Sequence, residues 1–280
     1  MLDSTLATLH AAMDIFLELD GAAEDAANPE EIWQRVEQER KAGRAVWLTG
    51  AWVQDLTRRF GVAREGRYWI RIPAGPAQGE WAFRLRDIIL SILALVVCAP
   101  LFVVLALLVK RSSPGPIFYK TTVVGQGQRR FVCRKFRSMR VMDPEHDQAA
   151  RREQFRAFVE QKGKGKVIDP TRVTAIGAFL RKHSLDELPQ LWNVLRGDMA
   201  LVGPRPCLPY EIEFFPEWAC ARFQVRPGLT GLAQVTARGQ VTLEQAFMMN
   251  VYYAYARSLT LDLKILVDTL RVMLLGEGDK

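Results

Sequence analysis

Apolar residues recur at helical spacing from the start of the chain: Leu2, Leu6, Leu9, Met13 and Phe16 share one face. The spacing predicts an amphipathic helix over 1–20. Ala22–Pro29 reads as a loop. Asn28-Pro29-Glu30-Glu31 opens a second helix, with proline in the first turn, where its missing N–H is no loss. Tyr68–Ile72 (YWIRI) suits a short strand, and the PAGPAQG stretch at 73–79 reads as a linker. The pattern then changes. Ile88 to Val109 is a run of 22 residues without a charge. As a helix it extends about 33 Å, enough to cross a bilayer core. SSPGP at 112–116 forces a turn after it. Ile117–Lys120 and Arg130–Arg134 suit strands around Gly125-Gln126-Gly127, and 144–162 is polar and helix-prone. There is no internal repeat.

Pro100 interrupts the apolar run. It removes one helical donor and clashes with the preceding turn, so a bend is expected there. The two arms are then about 18 Å and 14 Å long, and neither spans a bilayer alone. Arg84 and Arg86 precede the run, and Lys110 and Arg111 follow it. The stretch 110–142 holds nine Lys/Arg and no acid. The positive-inside tendency then favours both ends on the cytoplasmic side. Two forms stay open on these grounds: a re-entrant hairpin in one leaflet and a kinked span. A buried core helix fits poorly with so long an uncharged run. Trp81 and Phe83 suit an interfacial belt. The chain start has no basic n-region and carries early acids, unlike a secretory signal peptide.

At 280 residues, 49% apolar and 25% charged, the chain is too apolar for a disordered protein and long enough to bury a core. The net charge of +7 calls for an anionic partner: nucleic acid, a phosphorylated small molecule or a membrane surface. Its distribution is uneven. Residues 1–80 hold 13 acids against 9 bases, or −4, and residues 81–280 hold 18 against 29, or +11. Cys98, Cys133, Cys207 and Cys220 form no CxxC pair, and three histidines make a Cys/His metal site a poor reading. Unpaired thiols in a reducing compartment follow. A boundary is placed at 80. Residues 1–80 carry no motif tied to chemistry and read as an accessory module.

The chemistry lies in FLRKHSLDELPQLWNVLRGDMALVGPRP, residues 179–206. Ser184 and Glu187 have capping-box spacing, and Gly197 can end the helix. Leu185, Leu188, Trp192 and Leu195 recur on one face, with Asp186, Gln190 and Asn193 on the other. A carboxylate in a helix's first turn is favoured in its ionised form. Asp186 beside Glu187 therefore suits a magnesium site or a nucleophile, although both acids are equally explained as helix caps. Gln190 and Asn193 are either packing polar groups or active-site lining.

The run SLDELPQLWNVLRGDMALVGPRP, with Lys135-Phe136-Arg137-Ser138-Met139 before it and Arg226-Pro227-Gly228-Leu229-Thr230-Gly231 after it, resembles the bacterial sugar transferase family, the monotopic phosphoglycosyl transferases. GPIFYK (115–120) and SLTLDLKIL (258–266) extend the resemblance over 81–276. It implies an α+β, mostly helical fold, anchored in the membrane by a Pro-broken re-entrant helix over 84–110, with 1–80 as a small N-terminal domain and 81–280 as the transferase domain. It further implies transfer of a phospho-sugar from a UDP-sugar to polyprenyl (undecaprenyl) phosphate, with release of UMP, on the cytoplasmic face of the bacterial inner membrane. By that match Asp186 is the nucleophile, Glu187 (with Asp186) holds Mg²⁺, and Lys135, Arg137, Arg181, Gln190, Arg205 and Arg226 contact substrate. Arg205 stands in a rigid Pro204-Arg205-Pro206 frame. A homodimer stays open. The chain departs from the family at Ala99-Pro100, where Ser-Pro is usual, at Val124, where a base is usual, and at Asn250, where an acid is usual. Two other readings compete: a tethered module that binds anionic lipid, and an inactive scaffold of the same fold. Nucleic acid comes last, since no reading helix or aromatic platform is recognisable.

Overall fold

A computed structural model describes residues 15–18, 29–49, 61–64, 67–74, 79–142, 144–161, 169–237 and 241–275. The first element is a strand, β1 (Ile15–Glu18), paired parallel with β2 (Val46–Thr49). This corrects the helix expected through Phe16. Ile15, Phe16 and Leu17 are β-prone, and a neighbouring strand edge satisfies their backbone, so tertiary pairing overrides the helical spacing. Residues 1–14, and the loop expected at 22–28, lie outside the described residues. The helix α1 (Pro29–Lys41) begins at the expected proline, with Glu30 and Glu31 in its first turn and Arg40 and Lys41 in its last. Both charge placements favour the helix dipole. Further along the chain, β3 (Val62–Arg64) and β4 (Arg67–Ile72) complete an antiparallel-rich sheet in the order β1-β2-β4-β3.

The apolar run forms one helix, α2 (Glu80–Ser112), with Pro100 inside it. It is long and apolar enough to cross a membrane, and only 11% of its most apolar stretch is buried. The chain then forms the hairpin β5 (Phe118–Val124) and β6 (Arg130–Phe136), in register from Phe118 opposite Phe136 to Val124 opposite Arg130. The strands outrun the expected ones because each cross-strand pair supports the next. The polar helix α3 (Pro144–Glu160) follows, then α4 (Ala175–Lys182), whose cap Thr174 accepts a hydrogen bond from the Gly177 amide at 3.0 Å. A 3₁₀ segment (Leu185–Gln190) leads into α5 (Leu191–Arg196), and Gly197 ends it at φ 90°. β7 (Ala200–Val202) pairs parallel with β8 (Gly228–Thr230) across two further 3₁₀ segments, Pro209–Phe214 and Glu217–Gln224. Gly203 and Gly228 meet so closely that a Cβ on either would strike the other's backbone. The helices α6 (Leu232–Ala237), α7 (Leu243–Ala256) and α8 (Leu259–Leu275) close the fold. The result is mostly helical with short strands.

The sheet of the N-terminal unit and the later helices share one hydrophobic core. Val36, Leu48, Ile70 and Ile72 belong to the same buried cluster as Val202, Trp218, Val251 and Ile265.

Helix α2 is fastened to this body at both ends. Near its start, Phe83, Asp87 and Ser91 are buried. Arg84 donates to the carbonyls of Val194 and, at 2.6 Å, Leu195, the last acceptors of α5. Arg86 bridges Asp87 at 2.7 Å and Asp262 of α8 at 2.5 Å. Glu80 pairs with Arg257 at 2.8 Å, and the Arg257 guanidinium lies 3.8 Å from the Phe83 ring centre. Near its end, Leu105 and Val109 pack with Phe136 and Leu180. The Arg137 guanidinium then donates to three carbonyls: Val109 at 3.0 Å, Ser113 at 2.6 Å and Pro114 at 3.0 Å. These acceptors lie at the carbonyl-rich end of the helix, where a cation is favoured.

Replacing Arg137 by Met leaves these carbonyls unmet in a buried place. The expected cost is about 3 kcal/mol of unfolding free energy, visible as a lowered midpoint in a denaturation series in detergent. Arg137→Lys is expected to recover only part, since its three donors sit on one nitrogen and cannot spread to the carbonyls that Nη1 and Nη2 reach separately.

Candidate active site

Ser184 does not cap the segment that follows it. It sits in the left-handed region at φ 54° and makes no side-chain cap, so the expected capping box is absent. Pro189 supplies the reason. It lacks an amide donor and disfavours α geometry in the residue before it, so Leu185–Gln190 winds as 3₁₀ and the α-helix starts afresh at Leu191. The effect is to turn Asp186 inward, to 8% exposure, and Gln190 to 1%.

Strand β6 packs on this segment. It brings Lys135 against Glu187, Nζ to Oε1 at 2.5 Å. Burial works against the lysine's charge, but Glu187 and then Asp186 outweigh it, and the Lys135 pKa is raised despite the opposing Arg205. Lys135, Glu187, Arg205 and Asp186 thus lie within one electrostatic field. The side chain of Cys133 shares it, and burial pushes that thiol up to about 11. Gln190 keeps a buried Nε2 with no hydrogen-bond partner. An unmet buried donor costs about 1–3 kcal/mol, so a bound acceptor here would relieve it. Asn193 has a different job. Its Nδ2 donates to the Val132 carbonyl at 2.7 Å and its Oδ1 accepts from the Arg134 amide at 3.3 Å, which pins α5 to β6. Of its two sequence readings, packing is the one realised.

The predicted arginines divide between the rim of this field and helix α2. Arg205 is exposed, and its carbonyl accepts from the buried Arg222. Arg181 is in the last turn of α4, 4.0 Å from the sulfur of Met139. Arg137 and Arg226 are engaged at α2 instead: Arg137 on the carbonyls described above, and Arg226 with Glu80 at 3.4 Å. Pro100 lies within α2, away from the dyad in sequence and on its exposed stretch. Sequence reasoning missed Arg84, Arg86, Asp262 and Arg222. Arg222, within Trp218-Ala219-Cys220-Ala221-Arg222-Phe223, left one readable signal, a lone cation in an apolar stretch.

Among the described residues no three His, Cys, Asp or Glu side chains gather as a metal cage. The Asp186-Glu187 pair still fits Mg²⁺ in donor chemistry. That ion commonly takes one or two carboxylates and completes its shell with water and substrate phosphate.

The bacterial sugar transferase profile matches residues 79–276. The exopolysaccharide production protein ExoY of Sinorhizobium fredii is 39% identical over 196 residues, which cover 69% of this chain and 85% of that protein. The chain belongs to the bacterial sugar transferase family. The motif resemblance, and the transferase class it implied, are borne out. Among larger relatives of the family, the UDP-galactose-lipid carrier transferase of Erwinia amylovora is 39% identical over 195 residues, 70% of this chain and 41% of that one. The UDP-glucose:undecaprenyl-phosphate glucose-1-phosphate transferase of Xanthomonas campestris is 39% identical over 201 residues, 69% of this chain and 38% of its own length. The family match begins where α2 begins, so residues 29–72 lie outside it.

The raised Lys135 pKa sets a pH window. The ion pair stabilises the fold fully below the ordinary lysine value of 10.5, and that contribution is lost as pH rises through the higher folded value. Lys135→Met is therefore expected to cost about 1 kcal/mol between pH 6 and 9. The gap to the unmutated protein should close above pH 10.5 in a pH series of unfolding curves.

Proposed function

We propose that this protein transfers a phospho-sugar from a UDP-sugar to polyprenyl phosphate, undecaprenyl phosphate in the cell, through a covalent phosphosugar on Asp186. In the first step a carboxylate oxygen of Asp186 bonds to the β-phosphorus of the donor. The bond from that phosphorus to the bridging oxygen breaks, and UMP leaves with the electron pair. In the second step a phosphate oxygen of the acceptor attacks the same phosphorus and releases the carboxylate. The product is a polyprenyl diphosphate sugar, the opening membrane step of a glycan.

The observation that carries this reading is the inward-turned Asp186 beside the Glu187–Lys135 pair, with Arg205 in the same field. Lys135 and Arg205 suit the diphosphate oxygens, and Gln190 offers a free donor. Asp186 and Glu187 would hold Mg²⁺ together with those oxygens, and the ion would neutralise charge on the transferring group. Arg181 stands at the near end of α4 as a further phosphate contact. The relatives named for UDP-galactose, UDP-glucose and undecaprenyl phosphate support both substrates.

Helix α2 supports the place of action in this reading. Both its ends attach to one body, which favours re-entry at Pro100 with that body on the cytoplasmic face of the inner membrane. The helix α8 also leaves Leu259, Leu263, Val267, Leu270 and Leu274 exposed as a stripe suited to lipid.

Two measurements test this. Purified protein in detergent with Mg²⁺, a panel of UDP-sugars and undecaprenyl phosphate is expected to release UMP, with a loss of ~10³-fold or more in Asp186→Asn. Silence across the panel, or an active Asp186→Asn, sinks the reading. Gly79→Cys and Ser112→Cys are both expected to react with an impermeant maleimide from the cytoplasmic side only. Labelling from opposite sides would establish a span.

A further inference from the structure

The N-terminal unit lies outside the family match, yet it is built into the core beside one end of the site. We propose that this unit buttresses the Arg205 frame: Trp33 holds the 3₁₀ segment Glu217–Gln224 in place, and Arg222 on that segment holds the Arg205 backbone. The proposal rests on the reading of Arg205 as a donor contact.

Trp33 is 3% exposed and stacks on Trp218, ring centres 6.2 Å apart and planes 15° from parallel. Its second neighbour is Tyr255 at 6.0 Å. Arg40 lies over the other partner, 4.2 Å from the Tyr255 ring centre, and its Nε donates to the Pro73 carbonyl at 3.1 Å. The end of α1 and the end of β4 are thereby tied to α7. Segment 217–224 is thus gripped from the N-terminal side.

The same segment grips the site on its other side. A 3₁₀ helix turns about 120° per residue, so Trp218 and Arg222, four apart, point about 120° away from each other. One faces the N-terminal unit and the other faces the Pro204-Arg205-Pro206 frame. Arg222 is 5% exposed, and its Nη2 donates to the Arg205 carbonyl. Its guanidinium lies 5.3 Å from the Phe215 ring centre and 5.9 Å from that of Phe223. Burying a guanidinium is costly, and this one is placed to fix a backbone carbonyl. With prolines on both sides, fixing that carbonyl fixes the direction in which the Arg205 side chain leaves the backbone. Arg205 is near enough to Lys135 to oppose its charge, so its direction matters to the anion-binding end of the site. Arg222 and Trp33 act through Arg205 and are positioning residues.

The test uses the full chain in detergent. Hydrogen exchange over 203–208 is expected to quicken in Trp33→Ala and in Arg222→Met, with secondary structure by circular dichroism retained. Unchanged exchange overturns the buttress, whatever the protein's activity. In the UMP assay, Arg222→Met is expected to raise the donor KM about tenfold, with kcat and the acceptor KM within about twofold. Arg222→Lys, which keeps one donor, should recover part of this. Trp33→Ala should raise the donor KM several-fold. Combined with Arg205→Ala, neither substitution should add to the loss from Arg205→Ala alone. Losses that multiply in the double variants, or an equal rise in the acceptor KM, would also overturn it. UMP release by the unmutated protein tests the underlying reaction separately. Should Trp33→Ala unfold, Trp33→Phe keeps a ring in place and reads the same exchange.

Discussion

A 33-residue apolar helix is held to one folded body near both its ends, yet most of its apolar side chains stay exposed. The start of α2 is held by ions and hydrogen bonds: Arg84 on the end of α5, Arg86 between Asp87 and Asp262, and Glu80 on Arg257. The far end is held by packing on Phe136 and Leu180 and by Arg137 on three carbonyls. The exposed Val96, Val97 and Val103 between them would cost heavily in water and nothing in lipid. Those attachments also reach the site. Arg84 caps the helix that continues the Asp186 segment, and Phe136 is the residue after Lys135. The position of the site relative to the long apolar helix is therefore set by the same contacts that hold that helix.

The site itself is a short alternation of charge. Glu187 holds Lys135, Asp186 lies within the same field, and the Arg205 charge opposes that of the lysine. A phosphate group entering there would find Lys135 already positioned by Glu187, with little reorganisation needed. The 3₁₀ winding forced by Pro189 makes this possible, because it turns the dyad and Gln190 toward β6.

The parts legible in the sequence were those fixed by local chemistry. The acids and proline at the start of α1, the β5–β6 hairpin, Gly197 as a helix end and the apolar run each depend on a few adjacent residues. So does the dyad, whose surroundings make a motif. The rest depends on what lies across space. Ile15–Glu18 became a strand because β2 offers it an edge. Arg137 and Arg226 looked like phosphate ligands because a basic residue in a motif gives no sign of its partner, and both partners lie at α2. Asn193 chose packing because the backbone of β6 runs past it. Trp33 and Trp218 are 185 positions apart, and no periodicity links them.

Burial holds the Cys133 thiol up at about 11, within the field of the dyad. At neutral pH only about one molecule in ten thousand then carries a thiolate. Sulfur is ordinarily the stronger nucleophile of the cleft and the first target of oxidants and alkylating reagents. Here burial keeps it protonated, so the sulfur beside the dyad is a far weaker nucleophile than a free cysteine.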